Sequence, residues 1–196
     1  MRKTPDICIQ ENSEEMVEKA TELGWKNPEA YETLILEAEN WGELKNKLRD
    51  NREEYDILVF KGGNEKLNRD AVSDQRLDVL LHPERNRKDS GMDSVVARKA
   101  AENNVAIGFD LKQLLAKPKK QVHVLSHWRK NLMLCEKHGA KYIITTNARK
   151  KQDLRSPRDL ASVLDSIGFS GRKALETSEQ ILGENTNLNK EGEGSE

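Results

Sequence analysis

The stretch that most constrains the fold runs from Leu77 to Phe109. Leu77-Asp78-Val79-Leu80-Leu81 is a short apolar run of the kind that forms a buried strand. Pro83 stops it and stiffens the turn. Asp93 or Ser94 can cap a helix through Val95, Val96, Arg98 and Ala100, and Asn103-Asn104 closes that helix. Val105-Ala106-Ile107-Gly108-Phe109 is then a second strand. The result is one β-α-β unit whose strand-end loop carries Arg85, Arg87 and Lys88. Taken alone, an Arg-x-Arg-Lys loop reads as solvated surface. It points to function only if other strand-end loops repeat the pattern.

The same alternation extends along the chain. Strands are predicted at Asp6–Gln10, Tyr31–Glu37, Tyr55–Phe60 and Tyr142–Thr146, with a very short one at Gly168-Phe169. Helices are predicted from Ser13 to Leu23, Trp41 to Leu48 and Glu65 to Val72, with a turn or two after Lys112. A long helix from Lys119 to His138 should turn Val122, Leu125, Leu132 and Met133 inward. Pro157 opens another helix with Ser156 as its cap, and a last one starts at Ser170 or Gly171. Beyond Gly183 the chain has no apolar periodicity, so residues 183–196 are expected to be a disordered acidic tail after a domain spanning 1–182. Repeated strand–helix alternation means a parallel sheet with helices outside it, either open and doubly wound or closed as a barrel. No Gly-x-Gly-x-x-Gly or P-loop stands at a strand–helix junction, and Gly62-Gly63 is too little for a phosphate cradle. At 196 residues a barrel would be compact, with lean or missing final elements.

Charge is unevenly spread. The net charge is −7 over residues 1–56, +9 over 57–182 and −3 over 183–196, within a total of −1. Such asymmetry points to a side that faces a polyanion. Cys8 and Cys135 match no ligand spacing and read as buried or semi-buried thiols of a reducing compartment. No apolar run reaches the length of a membrane span, and none follows Met1-Arg2-Lys3 as a signal region. A cytoplasmic protein with no membrane partner is expected.

The run Leu80-Leu81-His82-Pro83, continuing through Arg87-Lys88-Asp89-Ser90-Gly91-Met92-Asp93 and Ala97 to Ile107, resembles the archaeal and eukaryotic ribonuclease P protein component 3 family. Tyr142-Ile143-Ile144-Thr145-Thr146-Asn147-Ala148-Arg149 and Leu154 to Leu160 fit the closing part of that family, and the match covers roughly residues 3–182. The resemblance implies an α/β, TIM-like (β/α) barrel related to the polymerase-and-histidinol-phosphatase hydrolases. It also implies a subunit of the ribonucleoprotein that removes the 5′ leader of precursor tRNA. Implied partners are the ribonuclease P RNA, ribonuclease P protein component 2 and other protein subunits, with precursor tRNA as substrate. The protein itself would bind no cofactor, and Mg²⁺ would serve the RNA.

The hydrolase relatives place Asp-x-His-x-His on the first strand and Asp-Ala-His near the last strands. Here the patterns read Asp6-Ile7-Cys8-Ile9-Gln10 and Asn147-Ala148-Arg149. Cys8 and Gln10 replace histidines, Asn147 is neutral, and the cationic Arg149 repels a divalent ion. No metal site and no catalytic residue are therefore assigned. Instead, cations recur after successive strands: Lys61, then Arg85, Arg87 and Lys88, then Lys112, then Arg149, Lys150, Lys151 and Arg155. A barrel brings such loops to one face. Arg forks and Lys point charges there would bind RNA phosphates with little sequence preference. Arg98, within the helix, is a further RNA-binding candidate. Lys99 beside it reads as a solvated helix face.

Trp128 between cations could stack on a base, but reads better as packing. His123 and His127 have a chelating spacing without a third ligand, so structural or RNA-facing histidines are favoured. Two rivals remain: a stand-alone metal-dependent phosphoesterase on the same barrel, and a small-molecule barrel enzyme for which no spacing names a substrate.

Overall fold

The structure is a computed structural model that describes residues 6, 13–25, 31–115 and 118–192, with side chains at 118–119 and 186–192 outside the description. Five parallel strands form the sheet: β1 (Thr33–Leu36), β2 (Ile57–Lys61), β3 (Val79–Leu81), β4 (Ala106–Asp110) and β5 (Tyr142–Thr145). Their spatial order is their sequence order, β1 to β5. A doubly wound sheet reverses its strand order at a switch point. An unreversed order instead keeps every crossover on one side and curls the sheet toward a barrel. The fold is α/β and TIM-like.

Helices fill the connections: α1 (Glu14–Glu22), α2 (Trp41–Asn51), α3 (Glu65–Ala71), α4 (Ser94–Glu102), α5 (Pro118–His138), α6 (Pro157–Ser166) and α7 (Gly171–Gly192). Their starts follow local chemistry. Asn40 accepts from the Glu43 amide, Asn64 from Leu67, Asp93 from Val95 and Val96, and Ser156 from Asp159. Each satisfies donors that the first helical turn leaves orphaned.

From β2 to β5 both faces of the sheet are buried, which is why these strands read as continuous apolar runs. Leu36, Leu58, Phe60, Leu80, Ile107, Phe109, Tyr142 and Ile144 pack in one core with the helices. Ile57, Val59, Val79, Leu81, Ala106 and Ile143 form a second, inner core, capped by Ile181 and Leu182 of α7. Gly108 belongs on this crowded side: a Cβ there would lie 2.8 Å from Leu81 Cδ1 and 2.9 Å from Val79 Cγ1. Asp6 joins the two edges of the sheet. Its carbonyl accepts from Tyr31 Oη, just before β1, and its carboxylate from the hydroxyls of Thr145 and Thr146, at the end of β5.

Three expectations change, and one falls on residues that are not described. The rest of the predicted first strand, with Cys8 and Gln10, lies outside the described residues. Gly168-Phe169 is a turn between α6 and α7, in which Gly168 at φ +86° lets the Phe169 amide return to the Leu164 carbonyl. On α5 the inward stripe is Trp128, Leu132 and Cys135, leaving Val122 70% and Met133 60% exposed. Trp128 sets that phase by packing edge-on against Phe109 with ring centroids 5.3 Å apart. Finally, the chain is helical past Gly183, where a disordered tail is expected: α7 continues to Gly192, and residues 193–196 lie outside the described residues. Polar contacts hold it at Glu184 and Asn185: Asn185 Nδ2 donates to Asp78 Oδ1 and the Asp56 carbonyl, while Glu184 accepts from Asn104 and pairs with Lys141.

Candidate nucleic-acid interface

Parallel strands put all their C-terminal ends at one end of the sheet. Lys61 closes β2, Arg85, Arg87 and Lys88 follow β3, Lys112 follows β4, and Arg149, Lys150, Lys151 and Arg155 follow β5. These predicted cations therefore share one end of the molecule. Arg98 does not join them; it is exposed on α4.

Most of these cations have local anions. Lys61 Nζ is 2.8 Å from Glu37 Oε1, and Arg85 Nη1 is 3.3 Å from Glu37 Oε2. Arg87 is held by both oxygens of Asp89, at 2.7 and 2.8 Å, and by Glu65 at 3.2 Å. This pairing, led by the hydrogen bond from Arg87, holds the Asp89 carboxyl far below the usual carboxylate range. Lys112 pairs with Asp153 at 2.8 Å, and the Arg149 amide donates to the same carboxylate. Lys151 pairs with Glu15 of α1 at 2.9 Å. Arg155 donates to the carbonyls of Gln152 and Leu154. Lys88 and Lys150 are exposed and enter none of these ion pairs. Apart from Asp89, two residues from Arg87, the partner carboxylates escaped sequence reasoning because they are distant in the chain. Their only signal was position, since Glu37 directly follows β1 as Lys61 closes β2.

The loop carrying Arg85, Arg87 and Lys88 is fixed from below by two buried amides that sequence reasoning also missed. Asn68 Nδ2 donates to the Pro83 and Gly91 carbonyls at 2.9 and 3.0 Å, and its Oδ1 accepts from Gly63. Asn131 Nδ2 donates to the Ser90 carbonyl at 2.9 Å. Gly91 has φ +67°, and a Cβ on it would collide with the Pro83 carbonyl oxygen.

Beneath the cationic surface lies a buried polar cluster. His82 Nε2 is 3.0 Å from Asp110 Oδ2, which also accepts from Asn147 Nδ2 at 2.6 Å. Trp128 Nε1 donates to Gln113 Oε1, turning Gln113 Nε2 toward Glu84 Oε1 and His82 Nδ1, both at 2.5 Å. Burial alone would lower the His82 pKa, but the hydrogen bond to Asp110 and the Glu84 carboxylate 3.7 Å from Nδ1 outweigh it and raise it to about 9. A protonated Nδ1 cannot accept from Gln113, whose Nε2 then donates to Glu84 alone, whereas a neutral ring could accept. Two buried carboxylates with no cation would cost more, so the imidazolium is the favoured form. Glu84 shows the matching effect: burial raises its pKa, while His82 and Gln113 bring it below the ordinary value.

The cluster does not suit a divalent metal. Asp110 Oδ1 accepts from the Lys112 amide, its Oδ2 is shared by His82 and Asn147, and both Asp6 oxygens are occupied by Thr145 and Thr146. Among the described residues, no three His, Cys, Asp or Glu side chains are arranged to hold an ion. Arg149 is exposed among the strand-end cations, while the titratable base inside the buried cluster is His82. Trp128 is buried and takes the packing role. Cys135 is buried too, which pushes its thiol up to about 12 and leaves it inert at neutral pH.

The model of the family "RNase P subunit p30" matches residues 19–190. The chain belongs to this family. Among p30-related proteins, ribonuclease P protein component 3 of Methanococcoides burtonii is 35% identical over 153 residues, covering 78% of this chain and 63% of that protein. Its counterpart in Methanocaldococcus jannaschii is 34% identical over 154 residues, covering 77% and 66%. This p30-family chain thus spans less than two thirds of the length of these relatives. A chain in a solved structure of archaeal ribonuclease P with mature tRNA is similar at a TM-score of 0.77 and 31% identity, over 86% of this chain and 73% of that one.

Proposed function

We propose that this protein is an RNA-binding subunit of ribonuclease P, which removes the 5′ leader of precursor tRNA. It supports the catalytic RNA and does not carry the chemistry. The observation that carries the reading is the gathering of Lys61, Arg85, Lys88, Lys112, Arg149, Lys150, Lys151 and Arg155 at one end of a p30-family barrel. Such a surface screens phosphate repulsion and favours compact RNA. The RNA supplies the reacting site, with Mg²⁺ as its metal. The p30-family membership favours ribonuclease P protein component 2 and other ribonuclease P proteins as neighbours, in the cytoplasm.

The rival metal-dependent phosphoesterase has no support from the buried cluster, whose carboxylate oxygens are already engaged. Reconstitution tests the proposal. Adding the protein to the ribonuclease P RNA and its other subunits should raise precursor-tRNA cleavage at limiting Mg²⁺. Equal cleavage with and without it, or phosphatase activity of the isolated protein with stoichiometric bound metal, would overturn the reading.

A further inference from the structure

We propose that Lys61 and Arg85 form a clamp for a single RNA backbone phosphate, and that the Glu37 carboxylate occupies the clamp until RNA displaces it. The inference rests on the RNA-binding reading above.

Three neighbouring strand ends build the clamp. Glu37 follows the last residue of β1, Lys61 is the last of β2, and Arg85 lies four residues beyond β3. Each oxygen of the one carboxylate meets its own cation: Oε1 meets Lys61 and Oε2 meets Arg85. A phosphodiester offers the same recognition, two exposed oxygens sharing one negative charge. The hydrogen bond from Lys61, aided by Arg85, holds the Glu37 pKa below its ordinary value.

The Arg85 half of the clamp does not depend on Glu37 for its position. Arg85 Nε donates to the Gly62 carbonyl at 3.1 Å, and the Arg85 amide donates to the His82 carbonyl at 3.0 Å. The loops also abut, since a Cβ on Gly63 would lie 2.7 Å from the Arg85 carbonyl oxygen. Lys61 and Arg85 are the more buried partners, whereas the Glu37 side chain is 56% exposed. Ion pairs this exposed are weak, so an incoming phosphate can replace the carboxylate. Glu37 then acts as an internal competitor that sets RNA affinity. Lys47 Nζ, itself paired with Glu43 at 2.7 Å, donates to the Glu37 carbonyl at 2.8 Å.

The test measures binding of the full chain to ribonuclease P RNA across a salt series. The variants are Glu37→Gln, Glu39→Gln as a control for charge alone, and Lys61→Met/Arg85→Met with and without Glu37→Gln. Glu37→Gln should tighten binding by about two- to thirtyfold, the span expected for two exposed ion pairs, and by more than Glu39→Gln. The gain should vanish in the Lys61→Met/Arg85→Met background. Removing both cations should reduce the salt slope by about one unit, since they share one phosphate. The clamp is overturned if Glu37→Gln does no more than Glu39→Gln, or if its gain survives without Lys61 and Arg85. Wild-type protein that fails to bind the RNA at any salt would overturn the RNA-binding reading and the clamp together. Wild-type binding with an indifferent Glu37→Gln overturns the clamp alone.

Discussion

His82 sits between Asp110 and Glu84, and its protonation ties folding stability to pH. Its pKa rises from 6.5 to about 9 on folding. The stabilisation is therefore complete below pH 6.5 and is lost as pH rises through about 9. Glu84 works in the opposite direction. Its pKa falls below 4.5 on folding, so its contribution is present above that value and fades as pH drops. Urea unfolding should accordingly show greatest stability in mildly acidic solution, with a decline on the alkaline side. His82→Gln should flatten the alkaline decline. An alkaline limb identical in wild type and His82→Gln would contradict the charged cluster. Asn68 is the second residue whose removal should be felt strongly. Asn68→Ala orphans the Pro83 and Gly91 carbonyls, at a cost of about 1–3 kcal/mol for each unsatisfied buried group. Chemical denaturation measures this directly, and a loss below about 0.5 kcal/mol, the range of ordinary surface changes, would show that the loop is held otherwise.

Among the elements, α7 changes most between sequence and structure. Ile181 and Leu182 cap the inner core, and Asn185 reaches Asp78 and Asp56 one step further on. Truncation before Gly183 should remove these polar anchors and lower stability by about 1–3 kcal/mol, a fall in Tm of about 2–4 °C per kcal/mol. An unchanged Tm would return the segment to a loose tail. The sequence hid this because periodicity reports apolar burial, and beyond Leu182 the described contacts of α7, at Glu184 and Asn185, are polar. The strands were legible for the converse reason: runs such as Leu77–Leu81 and Val105–Phe109 are buried on both faces and need no partner to be recognised. On α5 the stripe is ambiguous, and Trp128 decides it by meeting Phe109, a contact between distant segments. The candidate site was half legible. Its cations stand in loops the alternation predicts, but Glu37 and Arg85 meet across 48 residues, a pairing that no local pattern encodes.

For the whole molecule, the uneven charge of the sequence becomes a geometry. Strand-end cations gather at one end of the barrel, partly neutralised by Glu37, Glu65, Asp89 and Asp153. Lys88 and Lys150 are exposed on two different loops of that end, after β3 and β5. If both loops touch one RNA, each should contribute a phosphate contact without supporting the fold. The most direct test is the affinity of the full chain for ribonuclease P RNA over a salt series, for wild type, Lys88→Ala, Lys150→Ala and the double variant. Each single variant should weaken binding and reduce the log–log salt slope by about one unit, and the double variant by about two, with unfolding midpoints unchanged. Folded variants whose affinity and slope match wild type would contradict an RNA-binding face at the strand ends.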